Sequence, residues 1–112
     1  MKQVVPNKQE AIVDHQKIVG YLLSPHHPVG RNKARVFAQC GYDPGHANEL
    51  IAELKRIITE GQLVEVIESP YGSKYIVDGT LRCSRGIGLG IRTVWIVETD
   101  SRFPRFVTAY PE

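Results

Sequence analysis

IRTVWIVE, residues 91–98, is the most strand-like stretch of this 112-residue chain, because β-branched and aromatic side chains dominate it. Three further stretches share this character and are separated by short gaps rich in turn residues: LVEVIE (63–68), SKYIVDG (73–79) and RFVTAY (105–110). Short connections between consecutive strands favour an antiparallel meander. The second half of the chain is therefore predicted to form a four-stranded antiparallel sheet, with Trp95 largely buried within it.

The first half of the chain has helical periodicity instead. Apolar side chains recur at helical spacing over residues 14–23 and 30–40. A third helix is expected to open near Asp43-Pro44 and to end at Gly61. About three helices followed by four strands predict an α+β fold, in which the helices cover one face of the sheet.

The composition is that of an ordinary globular chain, with 42% hydrophobic and 23% charged residues. We expect a single domain over residues 1–112, with a flexible N-terminal segment at residues 1–13. No apolar run approaches the roughly 20 residues needed to cross a bilayer, and the N-terminus lacks the apolar core of a signal peptide. The sequence therefore predicts a cytoplasmic protein that does not bind membranes.

Metal and cofactor sites are not indicated by the sequence. The two cysteines, Cys40 and Cys83, match no metal-site spacing and are too few for a disulfide scaffold. Cys40 is expected to be a free thiol that packs in the apolar stripe of the second helix. The glycines of GIGLG (86–90) precede a strand, whereas a dinucleotide site requires them before a helix. We predict a hairpin loop there, and neither a metal ion nor a cofactor.

The formal net charge is only +2, but the charges are unevenly distributed. Two stretches are locally basic, residues 26–35 and residues 72–92, and they contain Arg31, Lys33, Arg35, Lys74, Arg82, Arg85 and Arg92. Such stretches are compatible with a phosphate-binding face. The competing interpretation is that they are solvated charges on unrelated surfaces.

Several polar residues border the predicted core. Lys33 lies one turn before Phe37, at the edge of the apolar stripe of the second helix. Lys74 lies between two tyrosines, in a stretch otherwise suited to a strand. The last two strands add Arg92, Thr108 and Tyr110, of which the latter two are two residues apart and share one side of their strand.

This set of side chains suits cleavage of RNA without a metal ion. That reaction needs a base for the ribose 2′-OH, a proton donor for the leaving 5′-oxygen and fixed positive charge for the transition state. We predict Lys33 or His27 as the base. Arg92 and Lys74 are predicted to bind the scissile phosphate, and Thr108 and Tyr110 to orient it. Arg31 and Arg82 are predicted as further substrate-binding cations.

Four segments carry a resemblance to known proteins: GRNKARVF (30–37), YGSKYIVDGTL (71–81), RTVWIVE (92–98) and PRFVTAYP (104–111). Together they resemble a family of small bacterial proteins that close on V-T-A-Y-P, over roughly residues 17–111. The order of elements is also similar to that of the barnase–EndoU–colicin–RelE group of metal-independent ribonuclease toxin domains.

The toxin resemblance implies a site that combines a His or Lys from an N-terminal helix with basic and hydroxyl groups from the sheet. On this chain the helix position is Lys33, with His27 as the alternative. The sheet positions are Lys74, Arg92 and Thr108, with Tyr110 beside Thr108. The chain departs from the group in having no histidine within the site helix itself.

Two functions follow from these observations. The first is a toxin-type endoribonuclease whose partners are RNA and a cognate antitoxin or immunity protein. The second is a non-enzymatic protein-binding module, such as an antitoxin, an immunity-type protein or an adaptor. In either case a second copy of the chain is an alternative partner.

Overall fold

The computed structural model describes residues 4–24, 31–84 and 86–112, with only the backbone of residues 31 and 32. The helices are α1 (His15–Lys17), α2 (Arg31–Gln39) and α3 (Ala47–Glu60), and α1 continues directly into a π-helical turn (Ile18–Leu22). The strands are β1 (Gln62–Ser69), β2 (Gly72–Arg82), β3 (Gly88–Glu98) and β4 (Arg105–Pro111). They form one antiparallel sheet in the order β1-β2-β3-β4. The predicted α+β fold is confirmed.

The central hairpin is longer than the sequence pattern indicated. β2 continues to Arg82, and β3 begins at Gly88 rather than at Ile91. Gly88 and Gly90 therefore belong to a strand and not to a loop, because Arg82 and Thr80 of β2 lie opposite them in the ladder. Backbone pairing with β2 overrides the low strand propensity of glycine here.

The core lies between α3 and the sheet. The buried side chains of α3 are Ala47, Leu50, Leu54, Ile57 and Ile58. Trp95 is fully buried, as predicted, and its ring meets that of Phe106 edge-on at a centroid distance of 5.3 Å. The indole Nε1 donates to Thr93 Oγ1 at 2.8 Å, and Thr93 donates to the carbonyl of Val77 at 2.7 Å. The polar atoms at the centre of the sheet thus have hydrogen-bond partners, as burial requires.

Cys40 and Cys83 form a disulfide, so the prediction of a free thiol in α2 was wrong. Cys40 follows the last turn of α2, and Cys83 follows the last residue of β2. Packing of α2 against this end of the sheet brings their Cα atoms to 4.6 Å, within the range that a disulfide spans. Gly41 is required beside the bridge, because its φ is +106° and a Cβ there would lie 2.6 Å from the Ser84 hydroxyl.

The N-terminal segment packs on the fold from residue 4 onward. Val5 and Ala11 are buried. Ile12 forms a parallel bridge with Arg105: its N–H donates to the Pro104 carbonyl, and its carbonyl accepts from the Phe106 N–H, both at 2.8 Å. This segment therefore occupies the outer edge of β4 at its start and leaves the end of β4 to α2. Within the described residues, no helix has the length and apolarity needed to cross a membrane.

Candidate functional site

Lys33 brings α2, the π-helical turn and β4 together at one point. Its Nζ donates to Tyr21 Oη and to Thr108 Oγ1, each at 3.0 Å. The same Nζ lies 5.3 Å from the ring centroid of Tyr21 and 5.6 Å from that of Tyr110, within the range of cation–π attraction. We call these four residues, Tyr21, Lys33, Thr108 and Tyr110, the lysine cluster.

The fold fixes each member of the lysine cluster through its neighbours. Lys33 precedes the buried Ala34 and lies one turn before the buried Phe37, so α2 presents it at the edge of the core. Tyr21 lies between Leu22, which is buried, and the rest of the π-helical turn, which begins at the buried Ile18. These buried neighbours place Lys33 and Tyr21 at the edge of the core.

Thr108 and Tyr110 reach the lysine cluster from the sheet. They are two residues apart on β4, opposite Val94 and Arg92 of β3, and therefore share a face. Thr108 is half-buried, whereas Tyr110 is 37% exposed. The prediction that Thr108 and Tyr110 end the last strand on one side is in accord with this register.

The Lys33 ammonium donates to two hydroxyl oxygens, those of Tyr21 and Thr108. Among the described residues, none of the ion pairs involves Lys33. The pKa of the Tyr21 phenol is lowered, first by its hydrogen bond with Lys33 and then by one with Thr108; burial opposes the shift, and the positive charges of Lys33 and Lys17 add to it. The lysine cluster therefore presents one cation, two hydroxyl groups and an acidified phenol.

Arg92 lies next to the lysine cluster, but its guanidinium is engaged elsewhere. It is paired in register with Tyr110, and it binds Asp78 of β2 in a two-point contact of 2.8 and 2.9 Å. Glu112 adds a third carboxylate oxygen at 3.6 Å. Asp78 raises the pKa of Arg92 above its usual value, and Arg92 in turn lowers the pKa of Asp78. The fork that we predicted for phosphate is thus filled by a carboxylate.

The other predicted cations lie apart from the lysine cluster or outside the described residues. Lys74 and Arg82 are exposed, on β2, four residues to either side of Asp78, which corresponds to about 13 Å along a strand in each direction. The Arg82 backbone N–H donates to Glu53 Oε1 at 3.0 Å, which fixes the end of β2 against α3. His27 and the side chain of Arg31 lie outside the described residues.

Sequence analysis missed Tyr21 as a site residue. Its ring fits the apolar spacing of residues 14–23, and that spacing alone predicts a hydrophobic role. The available signal was chemical: a tyrosine at the border of a stripe carries a hydroxyl that needs a polar partner when it is partly buried. Lys33 is that partner.

A cavity of about 660 Å³ opens near β1, apart from the lysine cluster. Its lining includes Val4, Ile58 and Leu63, together with Lys8 and Glu60. It contains no predicted site residue. In the part of the chain that the structure describes, no group of three or more His, Cys, Asp and Glu is placed to hold a metal ion.

Comparisons with known proteins place the chain in a family. It belongs to the family described as Domain of unknown function (DUF6883), whose model matches residues 4–112. The fold is similar to that of a chain in the solved structure of a contact-dependent growth inhibition toxin–immunity protein complex from Klebsiella pneumoniae 342. The TM-score is 0.70 at 20% sequence identity, and the match covers 95% of this chain and 97% of that chain. No curated protein matches the sequence.

Proposed function

We propose that this member of the DUF6883 family is a metal-independent endoribonuclease of the toxin type, which cuts RNA by attack of a ribose 2′-OH on the adjacent phosphate. The observation that carries the proposal is the Lys33 ammonium, which lies 3.0 Å from both Tyr21 Oη and Thr108 Oγ1 and has no carboxylate partner among the described residues. A cation that no carboxylate binds keeps its charge available for a phosphate. The pentacoordinate transition state of this reaction carries more negative charge than the substrate, so such a cation favours it.

Within the proposed reaction, Lys33 stabilises the charge on the phosphate. Thr108 and Tyr110 orient the phosphate from β4, while Arg92 on the neighbouring strand stays bound to Asp78. Lys74 and Arg82 would bind flanking phosphates along β2, at distances of about two nucleotides. Arg31 and His27 keep the roles predicted from the sequence.

Lys33 suits the part of cation and proton donor better than that of base. An ammonium has three donor hydrogens and no lone pair, and two of its hydrogens already point to hydroxyl oxygens. The base must therefore be a group other than Lys33.

The toxin–immunity complex that shares this fold supports the second part of the proposal, a cognate protein that holds the enzyme in check. Uncontrolled cleavage of RNA stops protein synthesis, so a cell that makes such an enzyme needs an inhibitor. The chain would act in the cytoplasm, where its RNA substrate is found.

The direct test incubates the purified protein with total bacterial RNA, with and without a chelator. We expect cleavage in both samples, and fragments that end in a 2′,3′-cyclic phosphate and begin with a 5′-hydroxyl. Thr108→Val should slow cleavage about tenfold, which corresponds to one lost hydrogen bond of about 1.4 kcal/mol in the transition state. Thr59→Val is the matched control, since the Thr59 hydroxyl bonds only within α3.

Intact RNA after incubation with the wild-type protein would contradict the proposal and favour the non-enzymatic protein-binding module. Cleavage that chelator abolishes would contradict the metal-independent mechanism. Inducible expression in bacteria gives an independent measurement: growth should stop with the wild type and continue with Thr108→Val at matched expression.

A further inference from the structure

We propose that Tyr21 accepts the proton of the ribose 2′-OH and returns it through Lys33, so that the two side chains form one proton-exchanging pair. The inference rests on the proposed ribonuclease function and assigns the base to Tyr21 in place of His27. Neither the sequence pattern nor the resemblance assigned Tyr21 a role. Its position in the structure does, because its phenol oxygen shares the Lys33 ammonium with Thr108.

The geometry suits proton exchange between the two side chains. Tyr21 Oη accepts from Lys33 Nζ at 3.0 Å, an ordinary distance for a charge-assisted hydrogen bond. The ammonium also lies 5.3 Å from the centre of the Tyr21 ring, so it is held close to the phenol whichever partner carries the proton. Because Tyr21 stands beside the buried Leu22, the phenol is anchored by the core of the domain.

The electrostatic surroundings of Tyr21 favour its ionised form. Among the described residues, Lys33 from α2 and Lys17 from its own segment lower the pKa of Tyr21 through their positive charges. Thr108 of β4 adds a hydrogen bond that acts in the same direction, and the Tyr110 ring of the same strand lies 5.6 Å from the ammonium. These groups lower the pKa of Tyr21 and so favour the phenolate, the form that can act as a base.

The proton balance of the reaction closes within this pair. The Tyr21 phenolate takes the proton of the 2′-OH while O2′ forms its bond to phosphorus. The bond between phosphorus and O5′ breaks, and the leaving oxygen takes a proton from the Lys33 ammonium. Tyr21 is then a neutral phenol and Lys33 a neutral amine, and transfer of one proton along their hydrogen bond restores the starting state. No metal ion or further reactant is consumed.

The closing experiment compares Tyr21→Phe with Tyr71→Phe, both assayed for RNA cleavage and for RNA binding. Tyr71 is 79% exposed and is the matched control. We expect Tyr21→Phe to slow cleavage by about 10²-fold, as for loss of a general base, with unchanged affinity and melting temperature. Site-specific 3-fluorotyrosine at position 21, which makes the phenol more acidic, should move the rising limb of the pH–rate profile to lower pH. A structural role for Tyr21 would not move that limb.

A third measurement does not depend on activity. One phenol of the wild type should ionise ahead of the others in a titration of phenolate absorbance, and Lys33→Met should shift that step to higher pH. Wild-type cleavage with a fully active Tyr21→Phe variant, or with an unmoved pH profile, would overturn this inference and leave the ribonuclease proposal intact. An inactive wild type would instead overturn the ribonuclease proposal.

Discussion

Lys33 and Arg92 lie on neighbouring parts of one surface, but they present their charges in opposite ways. The Arg92 guanidinium is bound by both oxygens of Asp78 and lies 3.6 Å from Glu112. The Lys33 ammonium is bound by two hydroxyl oxygens and lies beside two aromatic rings. An arginine fork occupied by carboxylates stabilises the sheet, whereas a lysine bonded to hydroxyl oxygens has no carboxylate in the described structure to offset its charge. The partners of a cation, more than its identity, therefore indicate whether it can serve a phosphate.

The largest effect that separates the two cations is expected on catalysis. Lys33→Met should lower RNA cleavage by about 10²–10³-fold, as for loss of one preorganised charge in an enzyme site. Lys55→Met is the control, since Lys55 is an exposed lysine on α3. Initial rates on a fixed single-stranded RNA measure the difference. Equal rates for the two variants would show that Lys33 does not face the substrate.

The second effect concerns Arg92, whose positive charge is offset by Asp78. Arg92→Gln alone should change cleavage by less than about threefold, because its fork is already occupied, which corresponds to under about 0.7 kcal/mol. In an Asp78→Asn background, which removes the negative charge from that partner, the same Arg92→Gln substitution should cost about tenfold. A double-mutant cycle on kcat/KM gives both numbers. A large loss from Arg92→Gln in the wild-type background would mean that substrate displaces Asp78.

The smallest effect is expected on the pH dependence of stability. Arg92 lowers the pKa of Asp78 below its unfolded value of about 3.9. The stabilisation from this pair is therefore complete above that value and is lost as the pH falls through the lower pKa of the folded state. Denaturant midpoints between pH 6 and pH 2.5 should fall less steeply in Arg92→Gln than in the wild type. Lys33→Met, which breaks no ion pair in the described structure, should keep the wild-type slope.

The order of elements and three of the four residues of the lysine cluster were predictable from the sequence. The change of period at Gly61 separates helices from strands, and the position of Lys33 at the edge of an apolar stripe marked it as a half-buried cation. Thr108 and Tyr110 followed from the alternation of a strand. All of these are local patterns, and local patterns are what a single sequence records.

The remaining features depend on contacts between distant segments. The Asp78–Arg92 pair follows from hairpin register, which places residues opposite each other when they are equally far from the turn. The apolar stretches alone do not give this register, because β2 and β3 extend beyond them, to Arg82 and from Gly88. Tyr21 contacts Lys33 because two helical segments pack together. The spacing of residues along the chain does not predict that contact.

The disulfide between Cys40 and Cys83 gives this fold a stability that depends on its surroundings. The bridge spans 43 positions of sequence and so restricts the unfolded chain, a constraint of about 4 kcal/mol for a loop of that length. Glutathione and thioredoxin remove such a constraint inside cells, while secretory and extracellular spaces preserve it. Because one end of the bridge lies just after α2, reduction releases the helix that carries Lys33 from its covalent tie to the β2–β3 hairpin. The redox state of the compartment therefore determines whether the helix that carries Lys33 is covalently tied to the sheet.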